Sequence, residues 1–368
     1  MTLFVRSANK NAVVELLSDF SASSSTPLRV AIVGAGAIGC YLGTMLSQSP
    51  VFEVFFIGRE RMALEAAAYG LTAQDLHGAC YRIVSPAVYT ELEVLRDAEL
   101  VLVTVKARDL ESVLPQLVHH LSADCIVVAL QNGVSIKPLY QQFLTQTVIR
   151  AIVPFNVVKI SSGFYARTTG SDMVWQQTAD WRIQAVLTQL QRQGIKSKQQ
   201  DSMKAVEFGK LLLNLNNAIN ALADIPLQQQ LLQRPYRRLL AAAMLELLDL
   251  CRRFQMDTYS FTSIPNSYIP LLLQSPNWLF KRLAKKMLAI SPDARSSMWD
   301  DLQAGKVTEI DFLNGAVVAL AAQLKLDAPV NRLLVQLVKR KEQGELVRLC
   351  PLHAQQLLQE ALKHLSSR

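Results

Sequence analysis

The sequence predicts two unlike halves, an α/β domain built on a mostly parallel sheet followed by an all-α C-terminal domain. From Leu28 to about Val158, short β-rich runs alternate with helical patterns: LRVAIVG, VFEVFFIG, ELVLVTVKA, CIVVALQNG and TVIRAIVPFNVV. Continuous Val/Ile/Leu runs bounded by Gly or polar turns mark strands buried on both faces, which is the signature of a parallel sheet covered by helices. After about Ser202, Leu/Ala/Gln-rich stretches with a 3.6-residue period dominate and β-branched runs almost vanish, so the second half should be helical. The polar segment Lys196 to Asp201 interrupts both patterns. It sets the boundary near residue 200, giving domains over 28–200 and 201–368.

Residues 1–27 precede the first strand and end in the Ser-rich stretch Ser21 to Thr26, which reads as a flexible arm and linker. The arm lacks the apolar centre of a signal peptide, and Glu15 and Asp19 sit poorly in a transit peptide. A cytoplasmic location is expected.

The first strand runs into GAGAIG, which supplies Gly34, Gly36 and Gly39 in GxGxxG spacing, with a helical run directly after it. Gly34 permits a tight turn, Gly36 lets the backbone approach a pyrophosphate, and Gly39 allows close helix packing. The helix that opens at Ala37 and Ile38 turns its N-terminus to the negative charge. The spacing alone is weak evidence and fits a structural glycine turn. A strand before it and a helix after it point to a Rossmann-type dinucleotide site.

The second strand, VFEVFFIG, ends where an NAD-binding fold usually presents an acid to the ribose hydroxyls. Here Gly58 is followed by Arg59, with Glu60 one place later. A guanidinium there can pair with a 2′-phosphate through forked, charge-assisted hydrogen bonds, which favours NADPH. A surface arginine, with Glu60 serving NADH, is the competing reading. Two later strand ends carry Lys106, in VTVKARDL, and Asn132, in ALQNGV. Open α/β sheets bind ligands at this carboxyl edge, so Lys106 is a candidate for cofactor phosphate or ribose, and Asn132 for the nicotinamide or the substrate. Asn-Gly is also a common turn former.

In EFGKLLLNLNNAINAL, a continuous helix would place Asn214 about 40° from Lys210 and Asn217 about 20° to its other side. One ammonium and two amides then share a narrow face of a Leu-rich helix, facing either solvent or a ligand. Later, in ARSSMWDDLQAGKVTEIDFLNG, Ser297 and Asp301 stand four apart and Gly305 is a helix terminator. Thr308 is a plausible N-cap for a new helix beginning at Glu309, a position that would favour the ionised carboxylate. An ordinary cap with a first-turn acid explains the same residues.

Composition narrows the class. The 368 residues are 50% hydrophobic and 18% charged, which suits a globular chain of one or two domains. No apolar run approaches the roughly 20 residues of a membrane span. The cysteines Cys40, Cys80, Cys125, Cys251 and Cys350 are odd in number and form no CxxC pair, and His119 and His120 are adjacent, so neither a disulfide framework nor a metal site is expected. The net charge of +8 fits nucleic acid, a membrane surface, or an anionic substrate and cofactor, and decides nothing by itself. The densest basic run, Lys281, Arg282, Lys285 and Lys286, follows Trp278 and Phe280 and reads as a solvated helix face, with contact to an acidic partner or a membrane as the competing readings. At most a second copy of the chain, in a homodimer, is expected as a macromolecular partner, with no nucleic acid and no membrane span.

Together, GAGAIG, the VKA and QNG strand ends, the KxxxN helix and SSMWDDLQAGKVTEIDFLNG resemble the ketopantoate reductase (2-dehydropantoate 2-reductase) family over about Leu28 to Asn314. The resemblance implies that Lys210 is the catalytic lysine and Glu309 its acidic partner. It makes Asn132, Asn214 and Ser297 substrate or cofactor contacts, and Asp301 a weaker candidate. Some members carry a second asparagine eight residues after the lysine, where this chain has Ala218 and the nearest on-face amide is Asn217. The implied chemistry is hydride transfer from NADPH to a ketone, with Lys210 delivering the proton and Glu309 anchoring a substrate hydroxyl. The account requires both groups to converge at the open mouth of the nucleotide fold. A paralogous reductase of another 2-oxo acid, or a silent nucleotide-sensing protein, would share the fold.

Overall fold

In the computed structural model, which describes residues 26–288 and 291–366, the apolar runs form the middle of an eight-stranded sheet. The arm over 1–25 lies outside the described residues. The strands are β1 (Leu28–Val33), β2 (Phe52–Ile57), β3 (Leu71–Gln74), β4 (Cys80–Ile83), β5 (Ala87–Tyr89), β6 (Leu100–Val103), β7 (Ile126–Ala129), β8 (Thr147–Ile152), β9 (Val157–Ser161), β10 (Phe164–Arg167), β11 (Met173–Gln176) and β12 (Ser197–Gln200).

The large sheet has the order β12-β11-β8-β7-β6-β1-β2-β5. From β5 to β8 all pairings are parallel, and only β11 meets its neighbour β8 antiparallel. Strand order reverses between β1 and β6, which opens the crevice where dinucleotides bind in this Rossmann-type arrangement. Every residue of β6 and β7 is buried, as a central parallel strand requires.

Helix Ala37–Leu46 packs on one face of this sheet and shares a core with a second sheet of order β4-β3-β10-β9. Leu95, Leu110, Leu114, Leu117 and Tyr140 fill the opposite face. The second sheet was not foreseen. Its strands are short, and β4 alternates exposed and half-buried residues, so it lacks the apolar signal of a central strand. The run TVIRAIVPFNVV, read as one strand, divides around Pro154 into β8 and β9, which lie in different sheets. Proline offers no N–H to a ladder, so the chain leaves one sheet there and joins the other. The polar segment near residue 200 is itself a strand, β12, at the edge of the large sheet.

Beyond β12 the described residues form helices and turns without strands. Helix Arg234–Arg253 runs through the helical core, packed by Met203–Asn214, Asn216–Ala223, Pro329–Glu342 and Pro351–Ser366. No helix among the described residues is long and apolar enough to cross a membrane. On the basic run, Phe280 is buried under the Arg237 guanidinium at 4.2 Å, whereas Trp278, Lys281, Arg282 and Lys285 are exposed. The Lys286 side chain lies outside the described residues.

Candidate active site

The dinucleotide cradle forms where β1 ends. Gly34 has φ +98°, and a Cβ there would meet the Val105 nitrogen at 2.6 Å. Gly39 has ordinary helical geometry, but a Cβ would lie 2.4 Å from the Gly34 oxygen and 2.5 Å from Thr104 Oγ1. Gly36 is different again: a Cβ there would meet nothing within 4 Å. Gly36 also caps helix Ala37–Leu46 without any side-chain hydrogen bond, so the first-turn N–H groups of Ala37, Ile38 and Gly39 have no side-chain cap. Open space in front of an uncapped ten-residue helix fits a pyrophosphate. Arg59 stands just beyond β2 at the N-cap of helix Glu60–Tyr69, exposed and without an ion pair among the described residues, with Glu60 exposed beside it.

The next strand end meets the helical half. Lys106, directly after the β6 turn, is paired with Asp301 of helix Ser297–Gln303, and Arg108 Nη1 approaches the same carboxylate at 3.9 Å. The neighbouring Ala107 N–H donates to Glu309 Oε1 at 3.0 Å. The Lys106 ammonium, expected on the cofactor, is thus held by the acid that the sequence ranked lowest.

Glu309 departs from expectation in one respect. Thr308 Oγ1 does accept the Ile310 N–H, at 3.2 Å, but only the three-residue 3₁₀ turn Ile310–Phe312 follows, and the next α-helix begins at Asn314. A turn this short has no useful dipole to stabilise an anion. Burial instead raises the Glu309 pKa, opposed by the Ala107 hydrogen bond and the Lys106 charge, with Asp301 adding to the rise and Arg108 opposing it.

Asn132 and Lys210 are brought together by the following strand end. Asn132 Oδ1 accepts from Asn214 Nδ2 at 3.4 Å, and Asn214 lies one turn beyond Lys210 on helix Met203–Asn214. The helix pattern expected to continue through Asn217 breaks at Leu215, and Asn217 belongs to helix Asn216–Ala223. Asn216 turns away and accepts from Gln230 Nε2 at 2.6 Å. Asn217 stays beside the second motif, because its carbonyl accepts the Ser296 hydroxyl at 3.2 Å. Ser296, not Ser297, caps the helix there; Ser297 is exposed one turn before Asp301.

Lys210 retains a partly exposed face while protein surrounds its amine, and desolvation lowers its pKa to about 8. Among the described residues no hydrogen bond or ion pair reaches it, from Glu309 or any other acid. Both groups lie near the turn at Asn132 and Gly133, which adjoins Phe312, three residues after Glu309, and Asn214, one turn after Lys210. A Cβ on Gly133 would touch Phe312 at 3.2 Å, while Asn132 touches Asn214. Among the described residues Glu309 and Lys210 share no hydrogen bond or ion pair. One Glu309 oxygen is instead anchored on the backbone of the β6 turn.

Several residues that build this crevice escaped the sequence reading. Arg150, fully buried on β8, donates from Nε to Glu207 Oε1 at 2.6 Å and from Nη1 to the Ala129 and Ala151 carbonyls at 2.7 Å each. Its Nη2 donates to the Gln131 carbonyl. Glu207 Oε2 accepts the Ser135 N–H at 3.1 Å. Gln131 Nε2 reaches the Val103 and Val105 carbonyls, and the Tyr140 hydroxyl donates to Gln131 Oε1 at 2.9 Å. Gly209 is the residue before Lys210, and a Cβ on it would overlap the Tyr259 carbonyl oxygen at 1.9 Å. A charged residue inside an otherwise apolar strand, as in TVIRAIV, was the one available signal. All five cysteines are free, and no group of metal-ligating side chains occurs among the described residues.

Fold and crevice define the chain as a two-part protein with a dinucleotide-binding half joined to a helical half across the carboxyl edge of the sheet. Its sequence matches the model described as "Ketopantoate reductase PanE/ApbA" over residues 30–180, and the corresponding C-terminal model over 202–342. The chain belongs to the ketopantoate reductase family. A 2-dehydropantoate 2-reductase of Archaeoglobus fulgidus is 26% identical over 324 residues, covering 86% of this chain and 98% of that one. The crystal structure of a PanE/ApbA family ketopantoate reductase from Ralstonia eutropha JMP134 superposes with a TM-score of 0.73 at 26% identity, over 86% of this chain and 99% of that chain. D-mandelate dehydrogenase, solved with NADH and anilino(oxo)acetate, shares the fold with a TM-score of 0.71 at 20% identity, over the same shares.

Proposed function

We propose that this chain reduces 2-dehydropantoate to pantoate with NADPH, a step of pantothenate and coenzyme A synthesis, with Lys210 as general acid. The observation that supports it most is the Lys210 amine, desolvated and free of any carboxylate, one turn from the Asn214 that meets Asn132. Gly34, Gly36, Ala37, Ile38 and Gly39 would hold the pyrophosphate, and Arg59 the 2′-phosphate. NADPH, when bound, supplies the hydride.

As the ketone carbon gains hydride, negative charge grows on its oxygen, and an ammonium aimed at that oxygen stabilises it and gives up a proton. An amine with pKa about 8 is largely protonated at neutral pH, yet releases its proton more readily than an ordinary lysine. The Asn132 and Asn214 amides would border the oxo acid, with Ser297 and Asn217 as further candidate contacts. Glu309, anchored through Oε1, has Oε2 left to accept a substrate hydroxyl.

A reductase of another 2-oxo acid is the second reading. It is favoured by Ala218, fully buried where some family members carry an asparagine. A panel of 2-oxo acids scored by loss of NADPH absorbance separates the two. Ketopantoate should be turned over with a kcat/KM at least about tenfold above pyruvate-like acids, the scale of discrimination a few pocket contacts supply. Turnover of pyruvate-like acids without ketopantoate would remove the first reading.

A further inference from the structure

Arg150 and Glu207 form an ion pair closed off from water, which needs explaining because such a pair seldom adds stability over apolar residues of the same size. Its partners show what it holds. Arg150 takes the carbonyls of Ala129 and Gln131, and Glu207 takes the Ser135 N–H. These atoms bracket the loop that carries Asn132. Within that loop Gly133 has φ +102° and Ser135 φ +59°, so the backbone follows a path that most residues resist and external hydrogen bonds must fix.

Glu207 also belongs to the helix of Lys210, one turn before it. At about 100° per residue, Glu207 and Asn214 lie within about 20° of each other on that helix, with Lys210 between them along the axis and roughly 40–60° to one side. The helix is therefore tethered to the β7 loop at two points: through Glu207 to Arg150 and Ser135, and through Asn214 to Asn132. Lys210 stands between the tethers and carries none itself.

We infer that Arg150 and Glu207 are a positioning pair that holds the Lys210 helix and the Asn132 loop in register, without touching substrate or cofactor. This rests on the reading of Lys210 as the proton donor. A guanidinium suits the task because its planar fork satisfies three carbonyls and a carboxylate at once, which an ammonium cannot.

The test combines Arg150→Met with Glu207→Met, an apolar pair of similar volume, in the full chain with and without Lys210→Ala. Thermal midpoint, NADPH affinity by fluorescence, and kcat and KM for ketopantoate are measured on each. The expected result is a folded double variant with NADPH affinity within about twofold of the parent and kcat lowered at least about 30-fold, since small misplacements at a reacting centre cost that order of rate. Adding Lys210→Ala to it should then cost less than about threefold, because a lysine already displaced has little left to lose. Full kcat in the double variant overturns the positioning role and leaves Lys210 as the acid. Unchanged turnover in Lys210→Ala alone overturns the reading of Lys210, and the positioning role with it. If the apolar pair does not fold, Glu207→Asp keeps the charge but shortens its reach: a folded Asp variant with lowered kcat and unmoved NADPH affinity supports the role, and one with parental kcat refutes it.

Discussion

At Lys210 the decisive physics is desolvation. With no acid among the described residues in contact, burial strips water from the ammonium unopposed, and the pKa falls from the ordinary lysine value to about 8. A general acid works only while protonated, so the sign is fixed: kcat for ketone reduction should be level near neutrality and fall as pH rises through about 8. A pH profile of kcat at saturating substrate checks this, and a profile flat to about pH 10 would mean that another group gives the proton. Glu309 teaches a related lesson. Its presence beside the crevice was legible in the TEID motif, but its environment was not, because a helix dipole was inferred where only a 3₁₀ turn exists and burial moves the pKa the other way.

Among the elements, central strands announce themselves and edges do not. β1, β6 and β7 are buried on both faces and read as apolar runs, as does the C-terminal half of β2, and each glycine of GAGAIG has a separate reason visible in the packing. The polar edge strand β12 and the small second sheet have no such signature, since their residues need only half-burial and a neighbour to pair with. The interruption at Leu215 was equally hidden, because the Leu periodicity runs on through it. At the end of β2, the exposed Arg59 begins its helix with no ion pair among the described residues. Arg59→Ala should weaken NADPH binding about tenfold while leaving NADH within about twofold, as expected for one charge-assisted contact to a 2′-phosphate. Equal effects on the two cofactors, in a binding titration, would assign the arginine to the surface.

Across the whole molecule, the two halves meet through an apolar cluster, Ile152 and Val174 against Met203 and Val206, and through polar contacts from the β6 and β7 ends and from β8. Lys106 with Asp301 and the Ala107 N–H with Glu309 join the β6 turn to the segment 297–309. Asn132 with Asn214 and Arg150 with Glu207 join β7 and β8 to the lysine helix. Sequence alone supplied most of the residues in these contacts, because each stands out chemically in a Leu-rich setting, but not which of them meet across the junction. Pairing across about 200 residues of chain depends on how two domains dock, which no local pattern encodes. The account turns on Lys210 acting on substrate within this junction and not on the cofactor or the fold. Lys210→Ala, assayed with NADPH and ketopantoate, should keep its NADPH affinity and thermal midpoint while kcat drops by about 10²- to 10⁴-fold, the usual worth of a positioned general acid. A variant that binds NADPH normally and still turns over ketopantoate at the parental rate would contradict it.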